Sequence, residues 1–215
     1  MSRSIAGREA LAALRRAVSA LPEAEERQGQ AEMSECIAEA VASGRSIIVQ
    51  AGTGTGKSLG YLVPAITSGK RTVVATATKT LQDQLSRNDL PLLSESLGVP
   101  FEWAVLKGRS NYVCMQRVRE LTDKSNQTEF EEMRDAVRTE IDGILEWLKG
   151  SQSGDIEELP RTPSDAARSA LTVGSDECPG RAKCPSGGDC FAEKARSAAQ
   201  EADVIVVNLH LYGLH

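Results

Sequence analysis

The chain has 215 residues, 40% hydrophobic and 26% charged, enough to bury the core of one large domain or of one domain with a sizeable insertion, and not the composition of a disordered polymer. Its apolar runs reach about six residues against the roughly 20 of a membrane helix, and no charged-then-apolar leader opens it, so it reads as cytoplasmic. A net charge of -5 leaves any nucleic-acid binding to local patches, and five cysteines without a secretory leader favour metal ligation or free thiols over a disulfide framework.

The first predicted element is a docking helix over residues 4–21, with Leu11, Leu14, Val18 and Leu21 at helical spacing and Pro22 closing the run. A second helix, QAEMSECIAEAVASG, sets Met33, Ile37, Ala40 and Val41 on one face, holds Cys36 as a small packing residue and stops at Gly44. SIIVQ, residues 46–50, is expected as a strand feeding AGTGTGKS at 51–58, after which a helix begins near Lys57. RTVVATAT at 71–78 is expected as a buried strand, KTLQDQLS as a helix, FEWAVLKG as a third strand and ADVIVVN at 202–208 as a fourth. That alternation predicts an α/β fold with a parallel sheet covered by helices.

Between Gly108 and Gln200 the rhythm breaks. A helix over 129–148 carries Phe130, Met133, Val137, Ile141, Ile144, Leu145 and Leu148 at spacings of three and four, and KGSQSGDIEELPRTPSD after it reads as loop or linker. Three cysteines follow, and an inserted domain accounts for the stretch better than a continuing sheet.

AGTGTGKS fits the phosphate-loop pattern, with Ala51 where the strict form has glycine. Gly52, Gly54 and Gly56, with Thr53 and Thr55 between them, let backbone N–H groups turn inward around phosphate oxygens, and the following helix adds the partial positive charge of its N-terminus. Lys57 would reach the β and γ phosphates and the Ser58 hydroxyl would ligate Mg²⁺. A glycine-rich turn with a stray lysine is the bland alternative, but the flanking strand and helix are the context the motif requires. The loop does not choose the reaction, since kinases, GTPases, transporters and helicases share it.

Cys178, Cys184 and Cys190 are evenly spaced, and Cys114 lies well upstream. Pro179, Pro185, Gly180, Gly187 and Gly188 suit a tight irregular loop in which thiolates converge. Four thiolates fit tetrahedral Zn²⁺ or an iron–sulfur cluster, and the lack of CxxC pairs tilts the balance to a cluster; a loop of surface thiols is the alternative.

Together these stretches resemble the N-terminal part of a DinG/XPD-type superfamily 2 ATP-dependent DNA helicase with an iron–sulfur domain. RQGQAEM resembles the family's adenine-reading stretch, with Arg27 and Gln30 as counterparts; AGTGTGKS resembles motif I, and VVATATKTLQDQL resembles motif Ia, which lies near the DNA backbone. LKGRSNYVC resembles the lead-in to the iron–sulfur domain, and ADVIVVNLHLYGLH the strand returning to the core, with Asn208 matching a family Asn. His210 departs from the pattern, standing two residues after Asn208 where many members have histidine directly after it.

The resemblance, which covers residues 24–215, implies a RecA-like P-loop parallel sheet with a mainly helical insertion. Residues 1–23 are then an N-terminal helix, 24–107 the first part of RecA-like domain 1, 108–200 the iron–sulfur domain and 201–215 the returning strand. It implies ATP, Mg²⁺ and a [4Fe-4S] cluster on Cys114, Cys178, Cys184 and Cys190, with Zn²⁺ as the alternative. It also implies a monomer on single-stranded or forked DNA, moving five-prime to three-prime in repair or replication. The DNA contacts it points to are Thr76, Thr78, Lys79, Gln82, Lys107, Arg109 and Tyr112. Residues 108–200 hold more acids than bases, so this DNA role rests on the resemblance and not on charge. The chain stops before the acidic Asp-Glu-Ala-His motif and the second RecA-like domain, and is expected to bind ATP weakly without useful turnover. The rival readings are a non-motor nucleotide-binding regulatory module with a structural zinc site of four cysteines and, less well matched, a small-molecule kinase.

Overall fold

The computed structural model describes residues 4–22, 24–123 and 135–213. They divide into two units, Met1–Val105 with Glu201–His215, and Leu106–Gln200. In the first, helix α1 (Ile5–Ser19) opens on Ser4, whose hydroxyl accepts the Gly7 N–H at 3.0 Å, and turns Leu11, Leu14 and Val18 inward. Helix α2 (Gln28–Ser43) ends at Gly44 in the left-handed conformation. Its buried face is Gln30, Ser34, Ala38 and Ala40, which shares only Ala40 with the expected face, and Cys36 is exposed. Small side chains at 34 and 38 let α1 and a third helix, α3 (Lys57–Thr67), pack close to α2, while Met33 and Ile37 are only half covered.

Strand β1 (Thr72–Thr76) leads into α4 (Lys79–Gln84), a π turn (Leu85–Asp89), α5 (Leu90–Ser96) and strand β2 (Trp103–Leu106). Strand β3 (Val204–Asn208) lies between the other two in the order β1-β3-β2 and runs parallel to β1, with Thr72 opposite Val204 and Thr76 opposite Asn208. Leu14, Leu62, Leu85, Leu90, Leu93 and Val206 form the centre of the core beneath the helices.

Residues 46–50 form no strand, contrary to the expectation from their β-branched run. Ile48 is 99% exposed, and Ile47 and Val49 are exposed too. β propensity expresses fit to a pleated neighbour, and among the described residues the sheet gives this segment no partner. The chain instead leaves α2 with the Arg45 N–H bonded back to the Ala40 carbonyl at 2.9 Å and runs irregularly into the phosphate loop.

The second unit contains α6 (Met115–Thr122), α7 (Asp135–Leu148), α8 (Asp165–Leu171) and α9 (Phe191–Glu201), around a core of Val113, Ile141, Ile144, Ile156, Ala167 and Leu171. Helix α7 is the described part of the helix expected over 129–148; Phe130 and Met133 lie outside the described residues. The stretch read as a linker is packed, with Asp155 and Ile156 both buried. Asp155 starts a 3-10 turn over Ile156–Glu158 by accepting the Glu157 N–H at 3.0 Å, and its backbone forms a bridge with Tyr112. Among the described residues no helix is long and apolar enough to cross a membrane.

Candidate functional site

The phosphate loop sits between the irregular segment after α2 and the first turn of α3. Gly54 and Gly56 have φ of 76° and 73°, the left-handed region in which a side chain is strained. At Gly56 there is also no room, because a Cβ would lie 2.3 Å from the Gln30 amide nitrogen. That nitrogen donates to the Gly56 carbonyl at 2.8 Å, and Gln30 is buried. Arg27 donates to the Gly54 carbonyl while holding Glu25 at 3.2 Å. The loop braces itself as well: Thr55 donates to the Gly52 carbonyl at 3.0 Å, and the Lys57 ammonium donates to the carbonyls of Ala51 and Gly52. Gly52 and Thr53 are exposed at the tip. Arg27, Gln30, Lys57 and the loop thus meet at one place, with the N-terminus of α3 beneath.

Sequence reading missed a set of groups around Ser58. The Gln84 amide lies 3.5 Å from the Ser58 hydroxyl and donates to Asp89 at 3.1 Å, so one amide links the phosphate loop's serine to a carboxylate beyond α4. Burial raises the Asp89 carboxyl above its ordinary range, against the bond from Gln84 that pulls it down; burial likewise raises Tyr61. No spacing rule pairs these residues, since Gln84 and Asp89 stand five apart.

The residues picked out as DNA contacts divide. Thr78 and Lys79 are exposed after β1, and Thr78 caps α4 by accepting the Leu81 N–H at 3.3 Å. Thr76 is buried and donates to the Thr78 carbonyl at 3.2 Å, and Gln82 is buried with its amide nitrogen finding no hydrogen-bond partner among the described residues. Both side chains lie too deep to meet a DNA phosphate as they stand. Asn208 is used locally, its carbonyl oxygen accepting the His210 N–H at 2.9 Å, which is how a histidine two residues on is held.

In the second unit, Tyr112 is buried, with its phenol pushed up to about 12 by that burial. Arg109 is paired with Glu193 and has a side chain 11% exposed, so neither residue offers a free surface to a nucleic acid. Lys107 lies 2.6 Å from Asp155 and 2.7 Å from Glu157. Burial pulls its ammonium down, but the bonds to the two carboxylates outweigh that and hold it above its ordinary value.

Cys114, Cys178, Cys184 and Cys190 are free thiols that line one cavity together with Arg109 and Met115. Cys114 precedes α6, its N–H held by the Leu171 carbonyl at 2.8 Å, and Cys190 precedes α9. Between Cys178 and Cys190 the loop closes tightly: a Cβ at Gly187 would lie 2.2 Å from the Arg181 carbonyl oxygen. Arg109 feels the charge of Cys178 and Cys190 and is held above its ordinary value, chiefly by Glu193 and against its own desolvation. The donor set for a tetrathiolate group is therefore gathered around one space with a cation beside it. Among the described residues no three Cys, His, Asp or Glu side chains are closed around a single ion.

Residues 28–159 match the DEAD/DEAH box helicase family, and the chain belongs to that family. Its relatives define the branch as the DinG type of superfamily 2. The chain is 41% identical over 198 residues to the ATP-dependent helicase DinG of Mycobacterium tuberculosis, covering 85% of this chain and 30% of that protein. It is 36% identical over 194 residues to the ATP-dependent DNA helicase YoaA of Escherichia coli, covering 90% of this chain and 30% of that protein. To the 3'-5' exonuclease DinG of Bacillus subtilis it is 29% identical over 192 residues, covering 87% and 20%. The chain thus spans 30% of the length of the first two relatives.

Proposed function

We propose that the chain supplies the nucleotide-binding part of an ATP-dependent DNA helicase, a cytoplasmic monomer that moves five-prime to three-prime on single-stranded DNA and opens forked duplexes in repair or replication. The observation that carries this reading is the loop at 51–58, whose Gly54 and Gly56 carbonyls are pinned from behind by Arg27 and Gln30. Pinned carbonyls leave the loop N–H groups and the start of α3 for phosphate oxygens. Lys57, now turned onto the carbonyls of Ala51 and Gly52, would exchange them for the β and γ phosphates of a bound nucleotide, and Ser58 would be the residue to hold its Mg²⁺. Arg27 and Gln30 belong to the stretch that resembles the family's adenine-reading segment, and one pair of side chains would then couple base recognition to loop shape.

Thr78 and Lys79 are the exposed candidates for the DNA backbone. The cysteines of the second unit would hold a [4Fe-4S] cluster, or Zn²⁺ in the alternative, through Cys114, Cys178, Cys184 and Cys190, with Arg109 stabilising their thiolates. Bound there, the group would act as a brace for the loop Cys178–Cys190, in a unit with few apolar residues of its own in that loop. The Asp-Glu-Ala-His sequence that activates water in the family occurs nowhere in the 215 residues, and we propose that this chain binds nucleotide without useful turnover.

The test is equilibrium binding of a fluorescent ATP analogue. A charge-assisted bond is worth about 1.5–3 kcal/mol, so Lys57→Ala is expected to weaken binding about 10- to 100-fold. Equal affinity in the two proteins contradicts the phosphate-loop reading, and brisk ATP hydrolysis lost in Lys57→Ala contradicts the lack of turnover.

A further inference from the structure

Helix α6 starts immediately after Cys114, and its side chains reach the loop that carries the other three cysteines. Gln116 accepts a hydrogen bond from the Ser186 hydroxyl at 2.8 Å, Arg117 lies 3.7 Å from Glu177, and Arg119 lies 2.6 Å from Asp189. Glu177 directly precedes Cys178, Asp189 directly precedes Cys190, and Ser186 stands two residues after Cys184. One short helix therefore holds a neighbour of every loop cysteine. Its own start fixes Cys114, whose carbonyl accepts the Val118 N–H at 3.0 Å and whose N–H donates to the Leu171 carbonyl.

The three ties differ in weight. Both ion pairs are exposed, and exposed pairs hold little. Ser186 is 2% exposed, and a buried hydroxyl needs a partner to stay buried. The Gln116 amide is oriented to be that partner: its nitrogen donates to Glu120, one turn further on, at 3.0 Å, and because a carboxylate only accepts, the amide oxygen is the atom left facing Ser186. Ser186 also shapes the loop backbone. Its carbonyl accepts the Asp189 N–H at 3.1 Å, and the Cys184 carbonyl accepts the Gly187 N–H at 2.9 Å. The tie thus acts on the turn that joins Cys184 to Cys190, and Gln116 and Ser186 line the same cavity as the four thiols.

We propose that Gln116 and Ser186 are positioning residues for the four-cysteine site: they fasten the loop Cys178–Cys190 to α6, so that three thiols already stand beside Cys114 when a thiophilic metal or cluster binds. This inference rests on the reading of Cys114, Cys178, Cys184 and Cys190 as one site. Chain that is ordered beforehand need not be ordered at the moment of binding. Apparent affinity falls in proportion to the fraction of molecules that hold the competent arrangement, so loosening the tie weakens the site without touching a ligand.

The test is a titration of the whole chain, metal-free and reduced, with Co²⁺ alone. Thiolate-to-cobalt absorption reads the affinity, and the visible bands of tetrahedral Co²⁺ read the geometry of the site, both without any enzymatic activity. Losing a hydrogen bond to a buried polar group costs about a factor of 10 in an equilibrium, so Ser186→Ala and Gln116→Ala are each expected to weaken Co²⁺ binding about 10-fold. The double variant should lose no more than either single one, because both remove the same bond. Arg119→Ala, at an exposed pair, should cost about 5-fold or less. In the metal-free chain, the Gly187 and Asp189 amides should exchange their hydrogens faster in Ser186→Ala than in the unmodified protein. Unchanged Co²⁺ affinity in both single variants, or losses that add in full in the double variant, overturns the proposal and leaves the four-cysteine site standing. An unmodified chain that gives no thiolate-to-cobalt absorption overturns both.

Discussion

Lys107→Met is the substitution whose cost can be worked out most fully. The Lys107 ammonium is 2.6 Å from Asp155 and 2.7 Å from Glu157, and the three side chains are 8%, 9% and 20% exposed. Removing the cation leaves two carboxylates facing each other with little water, and breaking a buried pair in this way costs about 3–5 kcal/mol. The exposed pair Lys149–Glu146, at 72% and 73% exposure, belongs instead to the class worth about 0–1 kcal/mol. For a unit the size of Leu106–Gln200, the lower bound corresponds to a fall of about 12 °C in unfolding temperature. In a Trp103→Phe background, Trp147 is the sole tryptophan, and its fluorescence reports on this unit alone. Adding Asp155→Asn and Glu157→Gln to Lys107→Met should recover most of the loss, because no uncompensated charge remains. The pH dependence has a definite sign. Lys107 is held above 10.5, so its contribution is complete below that value and fades as pH rises through the higher folded value. The gap between the unmodified protein and Lys107→Met should be flat around neutrality and close only in strong alkali. A loss below about 1 kcal/mol at neutral pH refutes the reasoning, since it would put the triad among surface pairs.

Gly56→Ala should weaken nucleotide binding at least about 10-fold, because it combines a left-handed φ with a methyl forced onto Gln30, while Gly29→Ala, where nothing lies within 4 Å, should leave binding intact in the same titration. Tyr112 should be the late tyrosine in an alkaline absorbance titration, ionising at about 12, and Tyr112→Phe should remove that phase. Its folded value is raised above 10.0, so its contribution to stability is present below that pH and lost on the way to about 12; the phenylalanine variant should therefore lose stability less steeply across that window.

What the sequence made legible was local. The phosphate loop announces itself because three glycines, a lysine and a serine must be adjacent to do their work, and the cysteine loop does so by its spacing. The segment 46–50 misled because its β-branched side chains specify a strand only if a neighbour pairs with it. Thr76 and Gln82 looked like surface polar groups, yet the packing of α4 on the sheet buries both. Lys107 finds its partners 48 and 50 residues away, in a stretch whose glycines, serines and acids read as a linker. Asp89 was hidden for a different reason: its bond to Gln84 depends on a π turn, and helical periodicity looks for partners three and four residues away.

The proposed helicase segment with an iron–sulfur unit is tested most directly by the metal content of the chain purified without oxygen. Iron with an equal amount of sulfide and a visible absorption band, all lost in Cys184→Ser, is the predicted result. A colourless protein with one zinc per chain and no sulfide would contradict the cluster and favour a non-motor module built on the same phosphate loop.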